Sequence, residues 1–218
     1  MRKKKIFAAA CLALIAGFVL ASSYYRKQRA ARLGFMAQKN AETFVRPHSP
    51  TLGDDSAKVY LVKFTDPACE TCASFSGFVK QIMAANPGKI KLVIRYAPFH
   101  EGAGEVARML EGAKRQGKFW ETLDALYASQ GYWTQHHQVV PELALNIVGR
   151  AGVDKERLKK DMSDPAIADA LAQDLADAEA LGVDKTPGFF VNGKPLVVFG
   201  ARELQELIES ELAASYPR

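Results

Sequence analysis

Between Lys58 and Tyr96 the sequence changes its hydrophobic period twice, and few folds accommodate the result. Lys58 to Thr65, Lys-Val-Tyr-Leu-Val-Lys-Phe-Thr, is rich in β-formers and carries apolar residues on both alternating sets, the pattern of a central strand covered on both faces. Asp66-Pro67-Ala68 breaks that run. From Cys69 to Ala85 the residues Phe75, Phe78, Val79 and Ile82 recur at helical spacing, and Asn86-Pro87-Gly88 ends the segment. Lys89 to Tyr96, with Ile90, Leu92, Val93 and Ile94, predicts a second strand. Strand, helix and strand in this order suit a right-handed crossover between parallel neighbours.

From about residue 101 to 181 the patterning is helical, with segments near 101–116, 118–129, 138–150, 154–162 and 165–181 and breaks or starts at Gly131, Pro141, Gly152 and Asp164-Pro165. An insertion of that length is expected to pack as a helical subdomain. Gly188 to Phe199 predicts a tight hairpin, with Asn192-Gly193 supplying the positive φ angles of a type I′ turn. A last helix is expected from about Ala201 to Ala213. Residues 48–218 therefore predict one α/β domain, a central mixed β-sheet flanked by helices with the helical insertion at about 101–181. At 218 residues and 48% hydrophobic content the chain is long enough for one buried core.

The N-terminus is of another kind. Arg2-Lys3-Lys4-Lys5 precedes sixteen unbroken apolar residues, Ile6 to Ala21. As a helix these span about 24 Å, against a hydrocarbon core of about 30 Å. Ser22 to Tyr25 close the gap, and Tyr24 and Tyr25 suit the membrane interface. Residues 1–25 are expected to be a signal-anchor or transmembrane segment, with residues 6–25 in the membrane; cleavage after Ala21 is the competing reading. Residues 26–47 read as a linker or juxtamembrane helix. Cys11 reads as a small apolar residue of the span. The formal net charge is +5, but residues 1–32 hold eight Lys or Arg and no acid, so the remainder carries 5 − 8 = −3. A nucleic-acid partner, which needs a basic face on the folded part, is excluded on that ground.

The soluble part has two cysteines, in the run Cys69-Glu70-Thr71-Cys72. Placed at i and i+3 where a helix starts, they lie within disulfide reach. The helix N-terminus offers free N–H groups and partial positive charge, which favour a Cys69 thiolate. Cys69 is expected to be the exposed nucleophile and Cys72 the shielded thiol that resolves mixed disulfides. The same run is also half of a zinc site. No second cysteine pair exists, and His136-His137 lacks the usual ligand spacing, so no metal is expected. His48 and His100 read as surface or packing residues.

Strand, Cys-X-X-Cys helix, strand, helical insertion, Thr186-Pro187, hairpin and helix together resemble the DsbA-like branch of the thioredoxin superfamily, over about residues 48 to 214. The resemblance implies a thioredoxin fold and a cis Pro187 packed against the Cys69–Cys72 disulfide. It also implies that Thr186 offers its backbone to an extended substrate segment and its hydroxyl to the sulfurs. Two positions depart from the family pattern. Lys63 stands where many relatives carry a buried acid, and is expected either to stabilise a thiolate as an ammonium or to snorkel to the surface. Glu70-Thr71 replaces the Pro-His pair of strongly oxidising relatives. A carboxylate beside the thiolate opposes its formation, which predicts a Cys69 pKa below a free thiol's but above that of the strongest oxidants.

The resemblance implies a thiol–disulfide oxidoreductase that needs no cofactor besides its own disulfide. Its expected partners are cysteine-containing exported proteins and a membrane redox partner that resets the pair. Residues 24–47 are too short for the dimerisation domain of related isomerases, which favours a dithiol oxidase. Thr186 before the proline is the choice of the isomerases and reductases, which keeps that direction open. A chaperone-like module holding extended segments beside Pro187 is the non-catalytic alternative. Thiol redox chemistry of this type places the domain in the periplasm, anchored to the inner membrane or soluble after cleavage.

Overall fold

The computed structural model describes residues 2–39, 43–135 and 138–217. The chain opens with the long helix α1 (Arg2–Lys39), followed by β1 (Thr51–Leu52), β2 (Val59–Thr65), α2 (Glu70–Ala85) and β3 (Ile90–Tyr96). The insertion comprises α3 (Ala103–Arg115), α4 (Phe119–Ala128), the single turn α5 (Gln130–Trp133), the short pair β4 (Thr134–Gln135) and β5 (Gln138–Val139), α6 (Pro141–Arg150), α7 (Lys155–Met162) and α8 (Pro165–Ala180). The chain then returns through β6 (Gly188–Val191) and β7 (Lys194–Pro195) to α9 (Ala201–Ser215). Local chemistry sets several of these starts. Asp154 accepts the N–H groups of Glu156 and Arg157, Asp164 accepts that of Ala166, and Pro141 and Pro165 occupy first-turn positions where no N–H is needed.

The sheet runs in the order β1-β3-β2-β6-β7. The central β2 is parallel to β3 and antiparallel to β6, as the crossover and the hairpin require. Its two alternating sets enter different cores. Val59 and Leu61 join Leu92, Ile94, Phe189 and Val191 beneath α2, α3 and α9, while Val62 and Phe64 join Val93, Phe190, Phe44, Ala178 and Leu181 on the α8 face. That double burial is why the strand needed apolar residues on both sets.

Two expectations are corrected. The hairpin was read through Phe199, but β7 pairs only at Lys194–Pro195, with Leu196 N–H bonding Phe189 O at 2.9 Å as the last rung. Pro195 has no N–H to continue a ladder, and the chain leaves the sheet. Asn192 and Gly193, with φ of 48° and 79°, do form the turn.

The second concerns the N-terminus. α1 runs without a break to Lys39, through most of the segment expected to be a linker or juxtamembrane helix, and its last turns dock on the domain. Ala37 is buried, and a Cβ at Gly182 would lie 3.1 Å from both Leu33 Cδ2 and Met36 Sδ. Among the described residues no helix is long and apolar enough to cross a membrane. The apolar stretch with described side chains, Cys11 to Ala21, is eleven residues, about 16 Å of helix. Arg26, Lys27, Arg29 and Arg32 follow it in the same helix. The side chains of residues 6–10, the start of the expected span, lie outside the described residues.

Candidate active site

Cys69 is the N-cap of α2, with φ −80° and ψ 118°, so its sulfur sits at the mouth of the helix without a side-chain cap bond. Cys72 is one turn in and fully buried. Both thiols are free. The Thr186–Pro187 peptide bond is cis and brings the Thr186 carbonyl oxygen 3.4 Å from Cys69 Sγ, close enough to accept from the thiol.

The two sulfurs differ sharply in acidity. Cys69 is lowered to about 5, chiefly because the Cys72 thiol donates to it; burial opposes this, and the Thr186 side chain and the N–H groups of Cys72 and Thr71 add to it. Cys72 is raised strongly, first by burial and then because its hydrogen is committed to Cys69. Cys69 is not the exposed nucleophile expected from the sequence: it is 8% exposed, its sulfur covered by the cis-proline loop that reaches it through Thr186. One thiolate at the helix mouth and one retained proton are nevertheless what a nucleophile and a resolving thiol need.

Glu70 and Thr71 are both exposed between the cysteines. Thr71 contributes its N–H, whereas the Glu70 carboxylate is not among the main influences on the Cys69 thiol. Solvent screening accounts for this. The intermediate Cys69 acidity expected from sequence is present, but the opposing influence is burial.

Lys63 does not snorkel. It is 2% exposed, and its Nζ donates to the Cys72 carbonyl oxygen at 2.8 Å and lies 5.3 Å from the centre of the Tyr127 ring. Burial lowers it to about 8, with the neighbouring Cys72–Cys69 thiol pair resisting. It belongs to the set of alternate β2 residues that faces α2.

Several residues at the site carried no signal in the sequence. The buried Asp66 carboxylate accepts from Ala68 N–H at 2.7 Å and from His100 N–H at 2.8 Å, and lies 2.8 Å from the His100 ring Nδ1. Gln130 Nε2 donates to Pro67 O at 2.8 Å. Thr65 Oγ1 is 2.7 Å from the Tyr127 hydroxyl. The partners in Asp66–His100, Thr65–Tyr127 and Gln130–Pro67 lie between 34 and 63 residues apart, and only the fold joins them. Asp66 was legible as a strand terminator, and nothing near it announced His100.

Beside Pro187 a cleft of about 200 Å³ is lined by Leu33, Val183, Phe189, Leu196 and Phe199. α1 thus forms one wall next to the cis-proline loop, where Arg29 approaches Asp184 at 3.9 Å. A larger cavity, about 670 Å³, opens near Arg108, Leu145 and Met162, and no cysteine or cis-proline residue lines it. Among the described residues no three His, Cys, Asp or Glu side chains group as a metal site requires, and His136-His137 lie outside those residues.

A family model described as thioredoxin matches residues 46–210. The probable disulfide bond formation protein D of Bacillus anthracis is 30% identical over 163 residues, 71% of this chain and 75% of that protein. The Na(+)/H(+) antiporter NhaA of Herminiimonas arsenicoxydans is 31% identical over 159 residues, 72% of this chain, and the matched region spans 25% of the antiporter's length. Among solved structures, a thioredoxin-like oxidoreductase from Silicibacter pomeroyi DSS-3 superposes with a TM-score of 0.69 at 29% identity, covering 78% of this chain and 96% of that one. BdbD from Bacillus subtilis, at 24% identity and TM-score 0.66 over 76% and 93% of the two chains, shares the fold.

Proposed function

The chain belongs to the thioredoxin family, on its DsbA-like branch, and on that premise we propose that it is a protein thiol–disulfide oxidoreductase acting on exported proteins through Cys69 and Cys72. The observation that carries this reading is the asymmetric pair itself: an acidic thiol at a helix mouth beside a cis-proline, backed by a buried thiol that keeps its proton.

The reading favours the oxidising direction. A substrate thiolate attacks Cys69 Sγ, the Cys69–Cys72 bond breaks, and Cys72 departs as a thiolate beside Lys63 before taking up a proton. A second substrate thiolate then attacks the substrate sulfur of the mixed disulfide, and Cys69 leaves. A thiol with a pKa of about 5 is a good leaving group, and stabilising its thiolate stabilises the reduced enzyme, which makes the disulfide the stronger oxidant. The Thr186 backbone and the cleft beside Pro187 would hold an extended substrate segment by β-pairing. A membrane redox partner would restore the disulfide.

Export is supported by Arg2 to Lys5 followed by the apolar run Ile6 to Ala21. In this reading residues 6–25 tether the domain to the inner membrane, with its active site in the periplasm. Resistance to alkaline carbonate extraction is expected; quantitative release with a new N-terminus after Ala21 would establish the cleaved form instead.

Thiol trapping in intact cells tests the function. A resting disulfide is expected, with Cys72→Ser capturing exported proteins as mixed disulfides on Cys69. A resting dithiol would assign the reductase or isomerase direction, and a Cys72→Ser protein that captures nothing would overturn the exchange reading.

A further inference from the structure

Lys63 places a titratable amine inside the domain directly under the thiols. The charged and titratable groups that face it are Cys72, Cys69 and Lys80 from α2, with the Tyr127 ring from α4. Its hydrogen bond goes to a neutral carbonyl, and among the described residues no carboxylate forms an ion pair with it. A buried ammonium without an anion costs several kcal/mol. Of the groups that face Lys63, the thiol pair is the one that carries negative charge in one oxidation state and none in the other.

We infer that Lys63 is a redox-linked proton site, which holds a proton while Cys69 and Cys72 are reduced and gives it up when their disulfide forms. The inference rests on the pair cycling, as proposed above, and not on the direction of net flow. The reduced site holds a Cys69 thiolate, a Cys72 thiol and a Lys63 ammonium. An acceptor disulfide R–S–S–R′, from a substrate or the resetting partner, takes the electron pair. Cys69 Sγ bonds to one acceptor sulfur, the acceptor S–S bond breaks, and R′–S⁻ leaves. Cys72 loses its proton to water, its thiolate attacks Cys69 Sγ beside the ammonium, and R–S⁻ leaves. The ammonium now faces no anion and yields its proton as well. The two protons, from Cys72 and from Lys63, convert the two released thiolates to thiols, so two electrons leave with two protons. Without a titrating Lys63 the same oxidation would release one proton.

The sign follows from the site's charges. Burial pulls the Lys63 pKa down and the reduced sulfurs hold it near about 8; the disulfide removes that resistance, so the value falls further. The relevant window lies between the Lys63 midpoint in the disulfide form and its reduced value of about 8, above the Cys69 value of about 5; below it Lys63 keeps its proton in both oxidation states.

Two measurements on the full chain in detergent test this. Isotope-edited NMR of the Lys63 side chain should give a titration midpoint lower in the disulfide form by about one unit or more. The midpoint potential against glutathione should fall with pH in that window as for two protons per two electrons, and as for one in Lys63→Met and Lys63→Arg. Equal Lys63 midpoints in the two oxidation states would overturn the inference even if Lys63→Met failed to fold, and so would a slope unchanged in folded Lys63→Met. Complete failure to exchange with glutathione would overturn the oxidoreductase reading itself.

Discussion

At the scale of single residues, the site depends on which atoms can donate to Cys69. The Cys72 thiol is the largest contributor to its acidity, so Cys72→Ala should raise the Cys69 titration by about one unit or more, read from thiolate absorbance. An unchanged midpoint would mean that the helix mouth alone sets it. Glu70→Gln should move the same titration by less than about half a unit, since an exposed carboxylate is screened. The sequence pointed to Glu70 because it is adjacent in the chain, but adjacency does not establish that its charge reaches the sulfur. The acidity of Cys69 also links stability to pH. Its folded value of about 5 lies below the free-thiol value of about 8.5, so the reduced protein should gain stability as pH rises between them and lose that increment as pH falls through 5. Urea unfolding of the reduced protein and of Cys69→Ser across that range should show the increment in the former only.

At the scale of elements, the loop before α2 is held by Asp66, which ties the end of β2 to the start of the chain after β3. Asp66→Ala would leave the buried Ala68 N–H and the His100 N–H without their acceptor, and should destabilise the domain by about 2–4 kcal/mol, measured by urea unfolding. A loss under about 1 kcal/mol would show that water replaces the carboxylate. The dock of α1 is tested at Gly182, whose φ is +71° and whose missing Cβ admits Leu33 and Met36. Gly182→Ala should cost about 1 kcal/mol from backbone strain alone. Faster hydrogen exchange over residues 29–37 in that variant would confirm that α1 packs there. The strand, the redox helix, the second strand and the last helix were legible because hydrophobic period and Pro or Gly punctuation are local signals. The docking of α1 was not, since Leu33, Met36 and Phe44 are too sparse to define a face until Gly182 and Phe190 supply the surface they meet.

At the scale of the whole molecule, a buried charge network joins the sheet, the insertion and the segment before β1. Arg95 of β3 is fully buried and bonds Asp174 and Asp177 of α8 at 2.7 and 2.5 Å, as well as the Thr43 carbonyl oxygen. Arg46 and His48 close on the same two carboxylates at 2.8 and 2.6 Å. Arg95→Leu would remove the buried guanidinium that the two carboxylates share and should cost about 3–5 kcal/mol in urea unfolding. A loss near 1 kcal/mol would show that Arg46 and His48 suffice. This network ties α8, the last helix of the insertion, to the sheet face opposite α2. The sequence by itself determined the element types, the parallel crossover, the type I′ turn and the placement of Cys69 and Cys72 at a helix start, because each follows from patterns within a few turns of chain. Only the tertiary structure decided that Asp66 meets His100, that α1 walls the cis-proline cleft, and that Lys63 lies under Cys72 and away from solvent. Those outcomes depend on which faces come together across tens of residues, and burial, which sets the acidity of Cys69, Cys72 and Lys63, exists only once they have.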